Sequence, residues 1–238
     1  MISEHESIER IIPGATEKPL FEEHMMRYEF AARHAKGKRV ADIACGTGYG
    51  AHHILNHGRA ESVVGIDISE DAIGYAKEHY SADNLDFMIG DATSLPLDNE
   101  VFDLVVSFET IEHIRHYEMY LREMHRILKP GGTFIVSTPN KKWSGENPYH
   151  ISEFTLSDFR EVLDDLYTDV RIYGQDHRGF LKRVRLRLEI IMARVIPEKM
   201  KDMLVPDRVR RGSPNRQIGG FVDEDVSNCM SLVGVCVK

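Results

Sequence analysis

Short apolar runs alternate along this chain with longer segments whose apolar residues recur at helical spacing. The runs predict strands near residues 39–44, 61–66, 84–89, 102–108, 132–138, 168–174 and 231–237. Helices are predicted between the early strands, and others at about 20–36, 116–128 and 155–167. Strands that alternate with helices in this way predict a parallel sheet that is covered on both faces.

The segment 40–50, VADIACGTGYG, joins an apolar strand to a glycine-rich turn. Asp42 lies in the strand, and Gly46 and Gly48 lie in the turn. Glycine tolerates positive φ and close approach of a ligand, and a helix that starts at such a turn offers its N–H groups to an anion. The next strand ends at Asp67, 19 residues after Gly48, a distance typical of a second strand that brings a carboxylate to ribose hydroxyls. The spacing predicts a site for a nucleoside cofactor.

Two cofactor classes fit the glycine spacing. The same glycines, with Ala51, also match the dinucleotide pattern G-x-G-x-x-G/A, so a nicotinamide cofactor remains an alternative. Asp42 argues against it, because a carboxylate before the turn repels a pyrophosphate and attracts an amino group. The third and fourth strands also lead to acidic residues, Asp91 and Glu109, at the sheet edge where such ligands bind.

Taken together, these motifs resemble the class I S-adenosylmethionine (SAM)-dependent methyltransferases that modify small molecules. The resemblance covers residues of about 21–175 and returns at 231–238. It implies an α/β, Rossmann-like fold, with a seven-stranded, mostly parallel sheet, helices on both faces and an antiparallel last strand. The expected organisation is one domain over residues 1–238, with a helical insertion at about 177–230 before the last strand.

The resemblance also implies which residues bind SAM. Asp42 and the glycine turn would hold the methionine part, Asp67 the ribose and Asp91 the adenine. The family usually has glycine at the position of Ala44, whose small side chain we expect to be tolerated. The full predicted set is Asp42, Ala44, Cys45, Gly46, Gly48, Asp67, Ile68, Asp91, Ala92, Phe108 and Glu109.

Two histidines are candidates for the base that takes a proton from the methyl acceptor. His113 closes a Glu-Thr-Ile-Glu-His run that begins at Glu109, and His150 lies in a later loop. Imidazole titrates near pH 6.5, so either side chain could accept a proton from a hydroxyl acceptor. The alternative for His113, of equal weight, is a structural role in orienting its loop or capping a helix.

The same run also suggests a metal site. On a helical turn Glu109, Glu112 and His113 share one face, and with His150 they would suit Mg²⁺, Mn²⁺ or Zn²⁺. The E-x-x-E-H run resembles metal-assisted O-methyltransferases of quinone biosynthesis and of small-RNA 3′ ends. A metal there would bind vicinal hydroxyls and lower the pKa of the attacking one.

These observations favour a methyltransferase that acts on a hydroxyl oxygen of a sugar, glycan or quinone-type metabolite. The first alternative is a metal-assisted RNA 2′-O-methyltransferase. Others are an NAD-dependent oxidoreductase and a SAM-binding protein without catalysis. Fold alone does not separate these functions.

The insertion has its own charge. Residues 177–216 hold 12 Lys and Arg against 4 Asp and Glu, whereas the whole chain carries a net charge of −8. Apolar residues between Leu181 and Val195 recur at helical spacing, which predicts a basic amphipathic helix. Such a helix would contact an anionic membrane or a phosphate-bearing substrate, or serve as a lid or homodimer helix. Nucleic acid is disfavoured, because few aromatic residues accompany the basic ones.

Composition places the chain among globular proteins. Hydrophobic residues make up 42% and charged residues 29% of it, as in ordinary soluble domains. Three cysteines without paired spacing argue against a disulfide framework, and no apolar run approaches the roughly 20 residues of a membrane span. We therefore expect a cytoplasmic protein, peripheral to the inner membrane face at most.

Overall fold

The computed structural model describes residues 11–145, 147–175, 221–223 and 226–238. Seven strands occur where the hydrophobic pattern predicts them, and an eighth, of two residues, lies inside the predicted insertion. The strands are β1 (Arg39–Ile43), β2 (Ser62–Asp67), β3 (Leu85–Ile89), β4 (Phe102–Phe108), β5 (Leu128–Pro139), β6 (Asp169–Gln175), β7 (Phe221–Val222) and β8 (Ser231–Val237).

Five α-helices accompany the strands within these described ranges. They are α1 (Lys18–Ala32), α2 (Tyr49–Gly58), α3 (Glu70–His79), α4 (Tyr117–Ile127) and α5 (Leu156–Asp164). Short 3₁₀ turns occupy Ile111–His113 and Val226–Asn228. The first helix ends four residues before the predicted position, because the chain turns after Ala32 and Gly37 adopts a φ of +68°.

All eight strands form one sheet, in the order β3-β2-β1-β4-β5-β8-β6-β7. The first five strands in this order run parallel to one another. Strand β8 is antiparallel to both β5 and β6, and β7 is antiparallel to β6. The predicted mostly parallel sheet with an antiparallel last strand is confirmed. Within the described residues the sheet has one strand more than the seven predicted, because the two residues of β7 are too few to produce a periodic pattern.

Helices cover both faces of the sheet, as predicted. Residues of α1, α2 and α3, such as Tyr28, Ile54 and Ile73, form the core on one face. Residues of α4 and α5, such as Leu121 and Phe159, form the core on the other face. The central parallel strands β1 and β4 are buried on both sides, which explains their nearly continuous apolar sequences.

The chain order of the strands reverses between β1 and β4, which are neighbours in the sheet. The connections after these strands leave the sheet in opposite directions and open a crevice at the strands' carboxyl ends. This topology positions the site described below.

Much of the predicted insertion lies outside the described residues, including the proposed basic helix from Leu181 to Val195. Its described parts are β7, which extends the sheet edge, and the 3₁₀ turn at Val226–Asn228. Among the helices of the described ranges, none combines the length and the apolar character that a bilayer crossing requires.

Candidate active site

A cavity of about 710 Å³ opens at the carboxyl ends of the central strands. The turn after β1, the ends of β2, β3 and β4, and one side of α1 contribute to its walls. Nine residues of the predicted SAM-binding set line it: Ala44, Cys45, Gly46, Asp67, Ile68, Asp91, Ala92, Phe108 and Glu109. The other two, Asp42 and Gly48, are not part of the lining.

Asp67 ties the glycine turn to the next helix. The Gly46 N–H donates to its Oδ2 (2.8 Å) and the Ser69 N–H donates to its Oδ1 (2.9 Å). Ser69 is also the N-cap of α3, since its hydroxyl accepts from the Ala72 N–H (3.3 Å). The carboxylate therefore shapes the turn as well as bordering the cavity.

The turn is built from residues with left-handed backbone conformations. Gly46 and Gly48 have φ values of +55° and +82°, and Ala44 adopts +59°. A Cβ on Gly48 would lie 2.7 Å from the Cβ of Ala76, so this glycine serves close packing against α3. Ala44 occupies a conformation that costs an alanine about 1 kcal/mol or more and glycine almost nothing. Alanine at this position, where the family usually has glycine, is therefore accommodated with backbone strain.

Asp42 lies behind the cavity wall. It is fully buried, and the hydroxyl of Tyr28 donates to its Oδ1 (3.3 Å). Burial raises the pKa of Asp42 well above the ordinary value of a carboxyl. Tyr28 itself lines the cavity, so Asp42 is connected to the cavity wall through its hydrogen bond with the tyrosine.

Glu112, His113 and His150 meet at one end of the cavity. One nitrogen or oxygen atom from each lies within 4.8 Å of the others. Glu112 is buried, its Oε2 accepts from the hydroxyl of Thr138 (3.2 Å), and its Oε1 lies 3.9 Å from His113 Nε2. Burial, and then the nearby Glu109 carboxylate, raise the pKa of Glu112 well above its ordinary value.

Two buried polar atoms of this cluster have no hydrogen-bond partner among the described residues: Oε1 of Glu112 and Nδ1 of His150. Each has only a longer contact, Oε1 of Glu112 with His113 Nε2 (3.9 Å) and Nδ1 of His150 with Oε1 of Glu153 (3.8 Å). Buried polar atoms without partners are rare, and they mark places where a ligand, an ion or water binds. The second nitrogen of His150 lies 2.9 Å from Nδ2 of Asn147. His113 Nδ1 lies 3.1 Å from the carbonyl oxygen of Tyr149, which orients the ring.

Glu109 is not part of this cluster, contrary to the predicted four-residue metal site. Its Oε1 accepts from the hydroxyl of Ser137 (2.6 Å), and its Oε2 lies 3.4 Å from Nη2 of Arg27. Arg27 is 2% exposed and also contacts Glu23 at 3.5 Å. Sequence spacing placed Glu109 beside Glu112, but a buried arginine from α1 and a serine from β5 hold its carboxylate.

Helix α1 contributes cavity residues that the motif-based prediction missed. Leu20, His24 and Tyr28 follow one another at four-residue intervals, so they share one face of the helix, and all three line the cavity. Burial, and then the charge of Arg27, lower the pKa of His24 well below its ordinary value, so its imidazole is neutral at pH 7. The four-residue spacing was the available signal, but it is common on buried helix faces.

Known proteins resemble this chain in sequence and in fold. A family model described as a methyltransferase domain matches residues 34–176. The chain is 29% identical over 244 residues to a probable SAM-dependent methyltransferase of Mycolicibacterium smegmatis, covering 97% of this chain and 93% of that protein. It is also 29% identical over 169 residues to a fatty-acid O-methyltransferase of the same species, covering 71% of this chain and 59% of that protein.

A solved structure shows a similar fold. It is a chain of the complex between the Haloferax volcanii Trm112 methyltransferase activator and a methyltransferase. The TM-score is 0.64 and the identity 20%, and the alignment covers 92% of each chain.

Proposed function

This chain belongs to the class I SAM-dependent methyltransferases, and on that premise we propose that it methylates a hydroxyl oxygen of a neutral small molecule of the sugar, glycan or quinone type. The observation that carries the proposal is the cluster of Glu112, His113 and His150 at one end of the cofactor cavity. A hydroxyl is a weak nucleophile that needs help to lose its proton, and this cluster contains groups able to take it.

The residues around the cavity fit SAM. The cavity's volume, about 710 Å³, lies within the range of sites for molecules of this size. Asp67 would hold the ribose, Asp91 the adenine, and the exposed Ile68 would pack on the purine ring. Bound SAM supplies an activated methyl group on a sulfonium, so the protein's own task is to position the acceptor and remove its proton.

The charges of the lining favour a neutral acceptor. In the described ranges four acidic side chains line the cavity, and no lysine or arginine does; the four are Asp67, Asp91, Glu109 and Glu112. Two of them contribute less charge, because Arg27 contacts Glu109 and burial raises the pKa of Glu112. An anionic acceptor would meet repulsion here, whereas a neutral hydroxyl would find acceptors for its proton. One relative is named as a fatty-acid O-methyltransferase, which supports oxygen as the acceptor atom; because a fatty acid presents a carboxylate oxygen, the choice of a hydroxyl depends on the charges of the lining alone.

His113 is the base in this proposal. The hydroxyl proton would move to the imidazole as the acceptor oxygen receives the methyl group that bound SAM would supply. Oε1 of Glu112 lies 3.9 Å from Nε2, the ring nitrogen that takes the proton. The His150 ring is nearly perpendicular to the His113 ring, with 5.2 Å between the ring centroids. It borders the acceptor position on the other side.

A divalent cation is a second candidate for the same cluster. The unpartnered Oε1 of Glu112 and Nδ1 of His150 are the kinds of atom that Mn²⁺ or Zn²⁺ binds, and His113 offers a third ligand. Titration of the EDTA-treated protein with Mn²⁺ or Zn²⁺ in a calorimeter tests this without an activity assay. We expect the native protein to bind the cation, and we expect Glu112→Gln to lower the affinity tenfold or more. Heats of binding in the variant that equal those of the native protein would contradict the metal proposal.

Mass spectrometry of products tests the function. The protein is incubated with SAM and pairs of acceptors that share a skeleton but carry either a hydroxyl or a carboxylate. We expect S-adenosylhomocysteine and an O-methyl product from the hydroxyl member. Products methylated on nitrogen, on a carboxylate or on the 3′ end of RNA would contradict the proposal.

Variants distinguish the base from the metal. His113→Ala is expected to lower kcat by about 100-fold or more while leaving SAM affinity unchanged. The exposed His116, three positions away, provides the matched control, and His116→Ala should keep full activity. Activity that survives EDTA supports His113 as base, whereas loss that Mn²⁺ restores supports the cation.

A further inference from the structure

The loop between β5 and α5, residues 141–153, exposes large apolar side chains. Its ends are held together, because the Lys141 N–H donates to the carbonyl of Phe154 (2.9 Å). Between these ends Trp143, Tyr149 and Ile151 are 46%, 47% and 52% exposed. Single exposed apolar residues are common on protein surfaces, but three within nine positions of one loop are a local concentration of exposed apolar side chains.

The same loop builds the acceptor end of the cavity. Asn147 and His150 line the cavity, and the Ile151 N–H donates to the carbonyl of Glu112 (2.8 Å). The carbonyl of Tyr149 lies 3.1 Å from His113 Nδ1. Anything that the exposed side chains bind is therefore held next to the acceptor position.

The aromatic and basic residues at the start of the loop match a membrane interface. Tryptophan and tyrosine prefer the boundary between lipid and water, and lysine pairs with anionic headgroups. Lys141 and Lys142 are exposed directly before Trp143, and the ammonium of Lys142 lies 5.5 Å from the centre of its ring and donates to Oδ1 of Asn228 (2.6 Å). The loop's two acidic residues, Glu146 and Glu153, come later in its sequence. The lysine stems can lie along apolar surface while their charges stay in water.

We propose that the 141–153 loop docks on a phospholipid bilayer with anionic headgroups. Trp143, Tyr149 and Ile151 enter the interface, and Lys141 and Lys142 meet the lipid phosphates. This docking goes beyond the proposed function and does not depend on it. It places the cavity mouth at headgroup level, where an amphipathic acceptor presents its polar end.

Trp143 makes the proposal directly measurable, because it is the chain's one tryptophan. The full-length protein is mixed with vesicles of phosphatidylcholine and phosphatidylglycerol, and its fluorescence is recorded. We expect a blue shift, protection from acrylamide, and quenching by lipids brominated on their acyl chains. Vesicle binding that leaves Trp143 open to acrylamide would assign docking to another segment and overturn the proposal. The proposal would also be overturned if the protein did not bind the vesicles, or if a soluble glycan instead of the vesicles produced the blue shift of the Trp143 fluorescence.

Two isoleucines form a matched pair of variants. Ile151 is 52% exposed in the loop, and Ile89 is 49% exposed at the end of β3. Ile151→Ser is expected to weaken vesicle partitioning by about fivefold or more, because it removes an apolar side chain from the interface. Ile89→Ser should leave it unchanged. Equal effects of the two variants, at unchanged thermal stability, would contradict docking through the loop.

Discussion

The Gly46 N–H donates a 2.8 Å hydrogen bond to Oδ2 of Asp67, a residue 21 positions later in the chain. Gly46 follows β1 and Asp67 ends the neighbouring strand β2, so the bond joins two carboxyl ends of the parallel sheet. The same carboxylate accepts from the Ser69 N–H. Asp67 thus holds the turn in the conformation that a ligand meets.

Replacing Asp67 with alanine should therefore weaken both binding and folding. We expect the Kd for S-adenosylhomocysteine to rise at least about tenfold, since hydrogen bonds to a charged group contribute roughly 1.5–3 kcal/mol. Unfolding free energy should fall by about 1–3 kcal/mol, because two N–H groups lose their acceptor. Calorimetric titration and urea unfolding measure the two effects. The exposed Asp86, on the next strand, is the control, and Asp86→Ala with equal losses would contradict this role.

The centre of the fold was predictable because strands β1 and β4 are buried on both faces. Runs such as FDLVVSF in β4 are apolar nearly throughout, and their pairing follows from the alternation with helices. The start of β5 was not predictable from the glycine pair at 131–132. The strand passes through this pair with a register shift against β4, and Gly131 adopts a φ of +74°. A pattern that usually marks a turn is here an irregularity within a strand.

The site was predictable where a residue sits at a strand end, as Asp67 and Asp91 do. It was not predictable where burial decides the role. Nothing in the motif shows that Tyr28 covers Asp42, or that Arg27 reaches Glu109 from α1. Those contacts depend on how the first helix packs across the sheet, which local spacing does not encode.

Ala44 provides a prediction about backbone strain. Its φ of +59° is costly for alanine, so Ala44→Gly removes strain while adding freedom to the unfolded chain. We expect stability that is unchanged or higher by up to about 1 kcal/mol, with cofactor affinity retained. Ala51→Gly, in the buried face of α2, should instead lower stability by about 1 kcal/mol or more. Equal losses in urea unfolding would show that Ala44 is not strained.

Two helical glycines should respond to alanine in opposite ways. A Cβ on Gly50 would lie 2.0 Å from the ring of Tyr28, whereas a Cβ on Gly74 meets nothing within 4 Å. Gly50→Ala therefore displaces the tyrosine that covers Asp42, and we expect a loss of about 1–3 kcal/mol. Gly74→Ala should gain about 1 kcal/mol from helix propensity. Thermal unfolding measures both, and a stable Gly50→Ala variant would contradict the packing described.

Glu112 predicts a pH dependence of stability. Because burial raises the pKa of Glu112 in the folded protein, the folded state keeps this proton to higher pH than the unfolded chain does. The stability that results is complete below the unfolded pKa, near 4.3, and is lost as pH rises through the folded pKa. Glutamine stays neutral and has no such loss. We therefore expect Glu112→Gln to gain stability relative to the native chain between pH 5 and pH 8, by about 1 kcal/mol or more.

Urea unfolding of the two proteins across this pH range measures the difference, in which the titration of other groups largely cancels. The exposed Glu118, at the start of α4, supplies a control carboxylate, and Glu118→Gln should show a smaller change with pH. Mn²⁺ that binds the cluster would favour the ionised carboxylate and reduce the advantage of the glutamine variant at pH 8. A difference that stays flat from pH 5 to pH 8 in metal-free buffer would mean that Glu112 is ionised in the folded protein. In that case a protonated His113, 3.9 Å away, would balance the charge of Glu112. A protonated His113 could not accept the acceptor's proton, so the base would be His150.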